Sequence, residues 1–320
     1  MTSPPEVVTL GRIGVDLYPE QHGVGLAEVR TFAKALGGSP TNVAVAAARL
    51  GRRAAVVTKV GDDPFGGFAR DALAGFGVDP RWVGTEPGLR TPLAFCEVRP
   101  PDDFPLLFYR EPTAPDLWLR PSELDLPALA AAGLLWTTGT GLSAQPSRDA
   151  TLAALDVRPA GALTVHDLDD RPMLWGDPRE HRRWAREAIA RATVVVGNRD
   201  EAAVAVGLQA AGAEAQARAL LALGPRLAVV KQGPKGALAA TADEVVAVPA
   251  TPVDVVCGLG AGDAFGGALC HGLLAGWELE RALRFASAAG ALVAGRLLCA
   301  DAMPTAPEVE ALLAATATTA

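Results

Sequence analysis

Six short β-rich runs punctuate the chain, at Val7 to Leu10, Ala54 to Val60, Leu134 to Thr138, Leu163 to Asp167, Thr193 to Gly197 and Leu227 to Lys231. Runs this apolar suit strands covered on both faces, as in a parallel sheet packed between helices. Between them, Asn42 to Leu50, Phe65 to Phe76, Arg179 to Arg191, Glu201 to Val206 and Glu214 to Leu223 carry apolar residues at helical spacing. The repeated strand–helix rhythm predicts an α/β fold, doubly wound around a mostly parallel sheet. With 320 residues, half of them hydrophobic, one large core is attainable, and no linker divides the chain. A single domain over 1–320 is expected.

Two segments, 14–32 and 93–110, break that rhythm. Both are strand-like, mix polar with aromatic residues and are bordered by Pro or Gly, which predicts a small β-rich lid projecting from the sheet. The low-complexity end, 314–320, is expected to fray.

Charge narrows the partners. Twenty-nine basic residues against 36 acidic ones leave a net charge of −7, so nothing marks a nucleic-acid or anionic-membrane surface. Cys96, Cys257, Cys270 and Cys299 form no CxxC pair, and the four histidines lack zinc spacing, so neither a structural metal nor a disulfide framework is expected. The apolar stretch from Ala286 ends at Arg296, far short of the roughly 20 residues that a membrane span needs. With no basic or apolar leader at Met1-Thr-Ser-Pro-Pro, the expected location is the cytoplasm.

Phosphate chemistry leaves traces in glycine loops. No Gly-Lys dipeptide occurs, so a Walker A loop is absent. The first strand is followed by Gly11-Arg-Ile-Gly14-Val-Asp16, which lacks the third glycine of a dinucleotide site. Gly258-Leu-Gly260-Ala261-Gly262-Asp263, by contrast, runs directly into a helical stretch. Glycines there can turn N–H groups toward one point, and a helix start adds free amides and a positive dipole end, making an anion hole without a basic side chain. Asp263 beside it has two readings: a base for a hydroxyl attacking phosphorus, or a plain helix cap on a glycine turn.

Gly260-Ala261-Gly262-Asp263 resembles the GAGD signature of the ribokinase-like (PfkB) carbohydrate kinases, and Gly37-Gly38-Ser39-Pro40-Thr41-Asn42-Val43-Ala44 is similar to that family's N-terminal glycine-pair motif. Asn198-Arg-Asp-Glu201 resembles its NxxE motif, and Lys231-Gln-Gly233-Pro-Lys-Gly236 its nucleotide-side glycine loop. The four motifs are spread in order over the whole chain. Within the family, Gly11 to Glu20 and Pro100 to Asp116 look most like the subgroup acting on 5-dehydro-2-deoxygluconate in inositol breakdown. The chain departs from the wider pattern at Cys257-Gly258-Leu259, where Asp and Thr usually precede the GAGD.

The resemblance implies a ribokinase-like fold, ATP and Mg²⁺, a possible monovalent cation, and phosphoryl transfer to O6 of the sugar acid. Asp263 would be the base, and the amides of Gly260, Ala261 and Gly262 the anion hole. Asn198 and Glu201 would stand near Mg²⁺ through water, unless they are only a helix-start pattern. Lys231, Gly233 and Gly236 would line the nucleotide. Asp16 and Asn42 suit hydroxyl recognition, Gly37 and Gly38 let backbone approach the sugar, and Arg110 and Arg171 could fork a carboxylate or serve as surface ion pairs. Phosphorylation of 2-dehydro-3-deoxygluconate or fructose, and a non-catalytic sugar-binding regulator, remain alternatives. A homodimer through the lid is a further possibility.

Overall fold

The computed structural model describes residues 4–21, 23–100 and 103–317. The chain begins with β1 (Val7–Leu10), β2 (Gly14–Pro19) and β3 (Phe32–Gly37), then α1 (Ser39–Arg49), β4 (Ala54–Gly61), α2 (Pro64–Gly75), β5 (Val78–Asp79) and β6 (Val83–Glu86). It continues through β7 (Leu93–Cys96), β8 (Leu106–Tyr109), α3 (Leu126–Ala131), β9 (Leu134–Thr138), α4 (Ser147–Asp156), β10 (Leu163–Asp167), α5 (Pro178–Ile189) and β11 (Val194–Asn198). The remainder is α6 (Arg199–Val206), α7 (Ala213–Leu221), β12 (Leu227–Lys231), β13 (Ala237–Ala240), β14 (Val245–Val248), α8 (Ala261–Leu274), α9 (Leu279–Ala294) and α10 (Ala306–Ala317).

Ten strands form one sheet in the order β14-β13-β12-β11-β10-β9-β1-β4-β5, with β6 also paired to β4. Every residue of β1, β4 and β9 is buried, which explains why apolar residues dominate them, with Thr and Lys59 as the polar exceptions. Among the described strands of this sheet, the antiparallel pairings are β12 with β13 and β13 with β14, so β13 alone runs against the others. The β13–β14 hairpin escapes the sequence pattern because β13 reads Ala-Leu-Ala-Ala, a composition that favours helix until pairing with β12 overrides it. Strand β1 lies between β4 and β9, with Val7 opposite both Ala54 and Leu134. Strand order reverses at that point, and a crevice opens beyond the carboxyl ends of the strands.

A second sheet, β3-β2-β7-β8, stands apart from the first. Strand occupies 14–19 and 32–37 on one side and 93–96 and 106–109 on the other, so β3 lies almost wholly beyond the expected boundary at residue 32. Position 22 and positions 101–102 of the expected lid segments fall outside the described residues. Of the end expected to fray, 314–320, the first four residues continue α10 to Ala317, which follows from the high helix propensity of alanine and the packing of Leu312 and Leu313 on the core, and positions 318–320 fall outside the described residues. Among the described residues, no helix is long and apolar enough to cross a membrane.

Candidate active site

Helices α1 and α8 aim their first turns at one cavity of about 380 Å³ under the four-stranded sheet. The glycine pair shapes the entrance to α1. A Cβ on Gly37 would collide with the carboxylate of Asp16, and at Gly38, with φ +104°, a Cβ would collide with the Arg12 carbonyl. Neither position accommodates a side chain without moving the site. Helix α1 then presents Ser39 and Asn42, three residues apart, on the same face. Ser39 Oγ donates to Asp263 Oδ1 at 2.7 Å, and Asn42 Nδ2 donates to Oδ2 at 2.8 Å.

Asp263 is the third residue of α8, whose cap, Gly260, is left-handed at φ +83°. Ala264 closes the first helical bond, to Gly260 O at 2.9 Å, while Ala261 N–H reaches only the Gly258 carbonyl at 3.4 Å. The N–H of Gly262 has no protein acceptor among the described residues, as expected for the first turn of a helix. Lys231 Nζ lies 3.5 Å from where a Cβ on Gly262 would be, so this helix start has a cation against it that the glycine pattern alone did not reveal.

Burial raises the Asp263 carboxyl above its ordinary range, against the hydrogen bonds from Asn42 and Ser39 that favour its charged form. Burial also pushes Asp16 up to about 7, with Arg12 opposing and Asp263 adding to the rise. At the ends of β10 and β12, burial raises Asp167, while Lys231 at 3.7 Å pulls it back. Asp169, although fully desolvated, is held below its usual range by Arg171 and Arg12. Arg171 Nη2 sits 2.9 Å from Asp169 Oδ1, whereas both Arg12 contacts to that carboxylate are 3.5 Å long.

Most of the residues singled out from the sequence converge on the cavity. Asp16, Gly38, Asn42, Arg171, Asn198, Glu201, Lys231, Gly233, Gly260, Gly262 and Asp263 line it. Gly37, Ala261 and Gly236 are not among the residues that line it; at Gly236, with φ +90°, a Cβ would collide with the Val248 carbonyl. Arg110 borders instead a small recess of about 10 Å³ behind Asp16 and Gly38, its Nη2 bound to Asp116 Oδ2 at 2.7 Å. Asn198 and Glu201 form a reciprocal capping box at the start of α6: Asn198 Oδ1 accepts from two helix amides at 2.9 Å, and Glu201 Oε2 accepts from Asn198 N at 2.6 Å. The helix-start pattern is therefore realised, and it occupies the Asn198 oxygen.

Sequence reasoning missed Arg12, Ser39, Asp167, Asp169, Tyr18, Phe108 and Cys299, all of which face the cavity. Ser39 was detectable, being three residues before Asn42 in the quoted glycine motif. Cys299 was not, because its Sγ meets Tyr18 OH at 2.6 Å from 281 positions away.

Residues 4–306 match the family described as pfkB family carbohydrate kinase. The chain is 35% identical over 311 residues to a 5-dehydro-2-deoxygluconokinase of Shouchella clausii, covering 96% of this chain and 95% of that one. It is 33% identical over 313 residues to a protein of the same name from Bacillus subtilis, covering 97% and 96%. Among solved structures, a fructokinase with bound ATP from Xylella fastidiosa superposes with a TM-score of 0.86 at 27% identity, covering 98% and 99% of the two chains. An E. coli protein assigned as a ribokinase II, in complex with ATP and Mg²⁺, gives 0.88 at 26%, covering 97% and 99%.

Proposed function

The chain belongs to the pfkB family of carbohydrate kinases, and from that premise we propose that it transfers the terminal phosphoryl group of ATP to O6 of 5-dehydro-2-deoxy-D-gluconate, a step of inositol breakdown. The observation that carries the reaction type is the Asp263 carboxylate, fixed by Ser39 and Asn42 at the mouth of an amide-lined helix start. Support for the acceptor comes from relatives of that name, which match over nearly their full length.

In this reading Asp263 accepts the hydroxyl proton as the sugar oxygen bonds to phosphorus and the bond to the ADP oxygen breaks. Each carboxylate oxygen has a second lone pair, so the two hydrogen bonds orient Asp263 without exhausting it. The first-turn amides of α8, chiefly at Gly262, and the Lys231 ammonium neutralise charge on the moving phosphoryl group. Asp16 and Asn42 take sugar hydroxyls, Gly37 and Gly38 let the ring approach the backbone, and Arg171 stands toward the acid end, whereas Arg110 is already held by Asp116. Gly233 and Gly236 shape the loop beneath the nucleotide.

Among the described residues, no cluster of three or more His, Cys, Asp or Glu side chains could hold a metal unaided. Glu201 keeps Oε1 free but for Arg171 at 3.9 Å, which fits a Mg²⁺ ion that arrives on the nucleotide and is reached through water. Bound there, Mg²⁺ would neutralise phosphate charge. Cys257, Gly258 and Leu259 offer no side-chain oxygen to a monovalent cation, so such an ion would depend on backbone carbonyls. Leu107 and Tyr109 on β8 are 49% and 60% exposed, which supports pairing of two copies through the lid.

Release of ADP with 5-dehydro-2-deoxygluconate, 2-dehydro-3-deoxygluconate and fructose in parallel tests the proposal. The first acceptor should give the highest kcat/KM; preference for another would overturn the substrate, and no ADP from any would overturn the kinase activity.

A further inference from the structure

We infer that Arg12 is the residue that selects for an acidic substrate, by exchanging its contact with Asp169 for the carboxylate of the incoming sugar acid. The inference rests on the keto-acid reading above and adds to it a residue and a way of binding.

Three guanidinium groups border the site, and they differ in how firmly the protein already holds them. Arg110 is paired with Asp116 at 2.7 Å, the two side chains being 9% and 4% exposed. Drawing Arg110 away would strand a buried carboxylate, one of the costliest changes a protein interior can undergo. Arg171 holds Asp169 at 2.9 Å and donates through Nη1 to the Asp170 carbonyl at 2.7 Å. Arg12 is different. Its Nε and Nη2 lie 3.5 Å from the Asp169 oxygens, at the outer limit of a hydrogen bond, and its Nη1 has no acceptor among the described residues.

The neighbours make the exchange inexpensive. If Arg12 turns to a ligand, Asp169 keeps Arg171 and also the Thr140 hydroxyl at 3.3 Å, so no buried charge loses its last partner. Arg12 also sits on the boundary of both cavities, facing the large cleft and the recess behind Asp16. Its guanidinium is 6.0 Å from the ring of Phe108 on the second sheet, so a carboxylate bound there would lie under that sheet. A planar fork with one free edge matches a carboxylate better than a point charge would.

Steady-state kinetics of the full-length enzyme and of Arg12→Gln and Arg12→Lys, with 5-dehydro-2-deoxygluconate and with fructose as the neutral comparison, test the inference. Arg12→Gln should raise KM for the acid roughly 10- to 100-fold, the loss expected for a charge-assisted contact, with KM for ATP and for fructose unmoved. Arg12→Lys should recover part of the loss. Should Arg12→Gln fail to fold, Arg12→Lys decides alone by raising the acid KM severalfold with the ATP KM unchanged. A wild type that prefers the acid, with variants equally selective, overturns the role of Arg12 and leaves the keto-acid reading standing. A wild type that prefers fructose overturns both.

Discussion

Asn42 and Asp263, 221 positions apart, meet through a 2.8 Å hydrogen bond in which the Asn42 amide donates to Oδ2. The bond joins the first turns of α1 and α8, so the residue assigned as base is oriented from the opposite end of the chain. Its immediate consequence is that Asp263→Asn should fold and bind ATP normally. Its kcat should fall roughly 10²- to 10⁴-fold, the range for loss of a positioned base. A variant keeping more than about half of wild-type kcat would remove Asp263 from the role.

Ser39→Ala should move the acidic limb of the pH profile of kcat/KM to higher pH. The Ser39 hydroxyl bond favours the charged carboxylate; without it the Asp263 pKa rises further, and a base must be ionised to work. A limb that stays in place or moves to lower pH would show that some other group controls it.

Glycine substitutions at adjacent positions should separate into two effects. Gly38→Ala, at φ +104° against the Arg12 carbonyl, should destabilise the fold by roughly 1 to 3 kcal/mol, read from the denaturant midpoint. Gly37→Ala displaces the Asp16 carboxylate and should chiefly raise the sugar KM. Equal effects of both variants on stability alone would argue against a sugar site here.

Asp16→Asn should stabilise the unliganded enzyme at pH 8 and much less at pH 4. Burial lifts the carboxyl from its ordinary 3.8 to about 7, so the folded state favours the protonated form. Wild-type stability from this group is then full below pH 3.8 and declines as pH rises toward 7, after which it is level. The expected gain at pH 8 is on the order of 4 kcal/mol, measured by chemical unfolding at both pH values, and it should come with a weaker sugar KM.

Glu201→Gln and Glu201→Ala distinguish the cap from the metal role. Glutamine can still accept from the Asn198 amide, so Glu201→Gln should keep the melting temperature, whereas Glu201→Ala should lose about 1 kcal/mol of helix capping. If Glu201 also reaches Mg²⁺ through water, both variants should need more Mg²⁺ for half-maximal rate. A Mg²⁺ dependence unchanged in Glu201→Gln would leave the capping box as its whole function.

The strands at Leu134–Thr138, Leu163–Asp167 and Leu227–Lys231 were legible to the residue, because burial on both faces concentrates apolar and β-branched residues in short runs. The glycine loops were legible for a similar reason: a backbone that must turn sharply or approach closely tolerates few residue types, and that requirement is local. The Asn198 and Glu201 capping box is local too, spanning four residues, and its pattern was already among the readings of that stretch.

What lay beyond the sequence is whatever depends on partners brought from elsewhere. Arg110 looked free to bind an acid, yet Asp116 already neutralises it. Arg12 carried no motif role, yet folding places it against Asp169, 157 positions away, where Arg171 shares the same carboxylate. The chain by itself determined the layered fold, the helix starts and the chemical types available at the strand ends, since these follow from periodicity and backbone sterics. Which charges are neutralised, how far each carboxyl is desolvated and which arginine is left able to exchange its partner were decided only when β1, β10 and the second sheet packed together, because electrostatic energies depend on distance and burial in space.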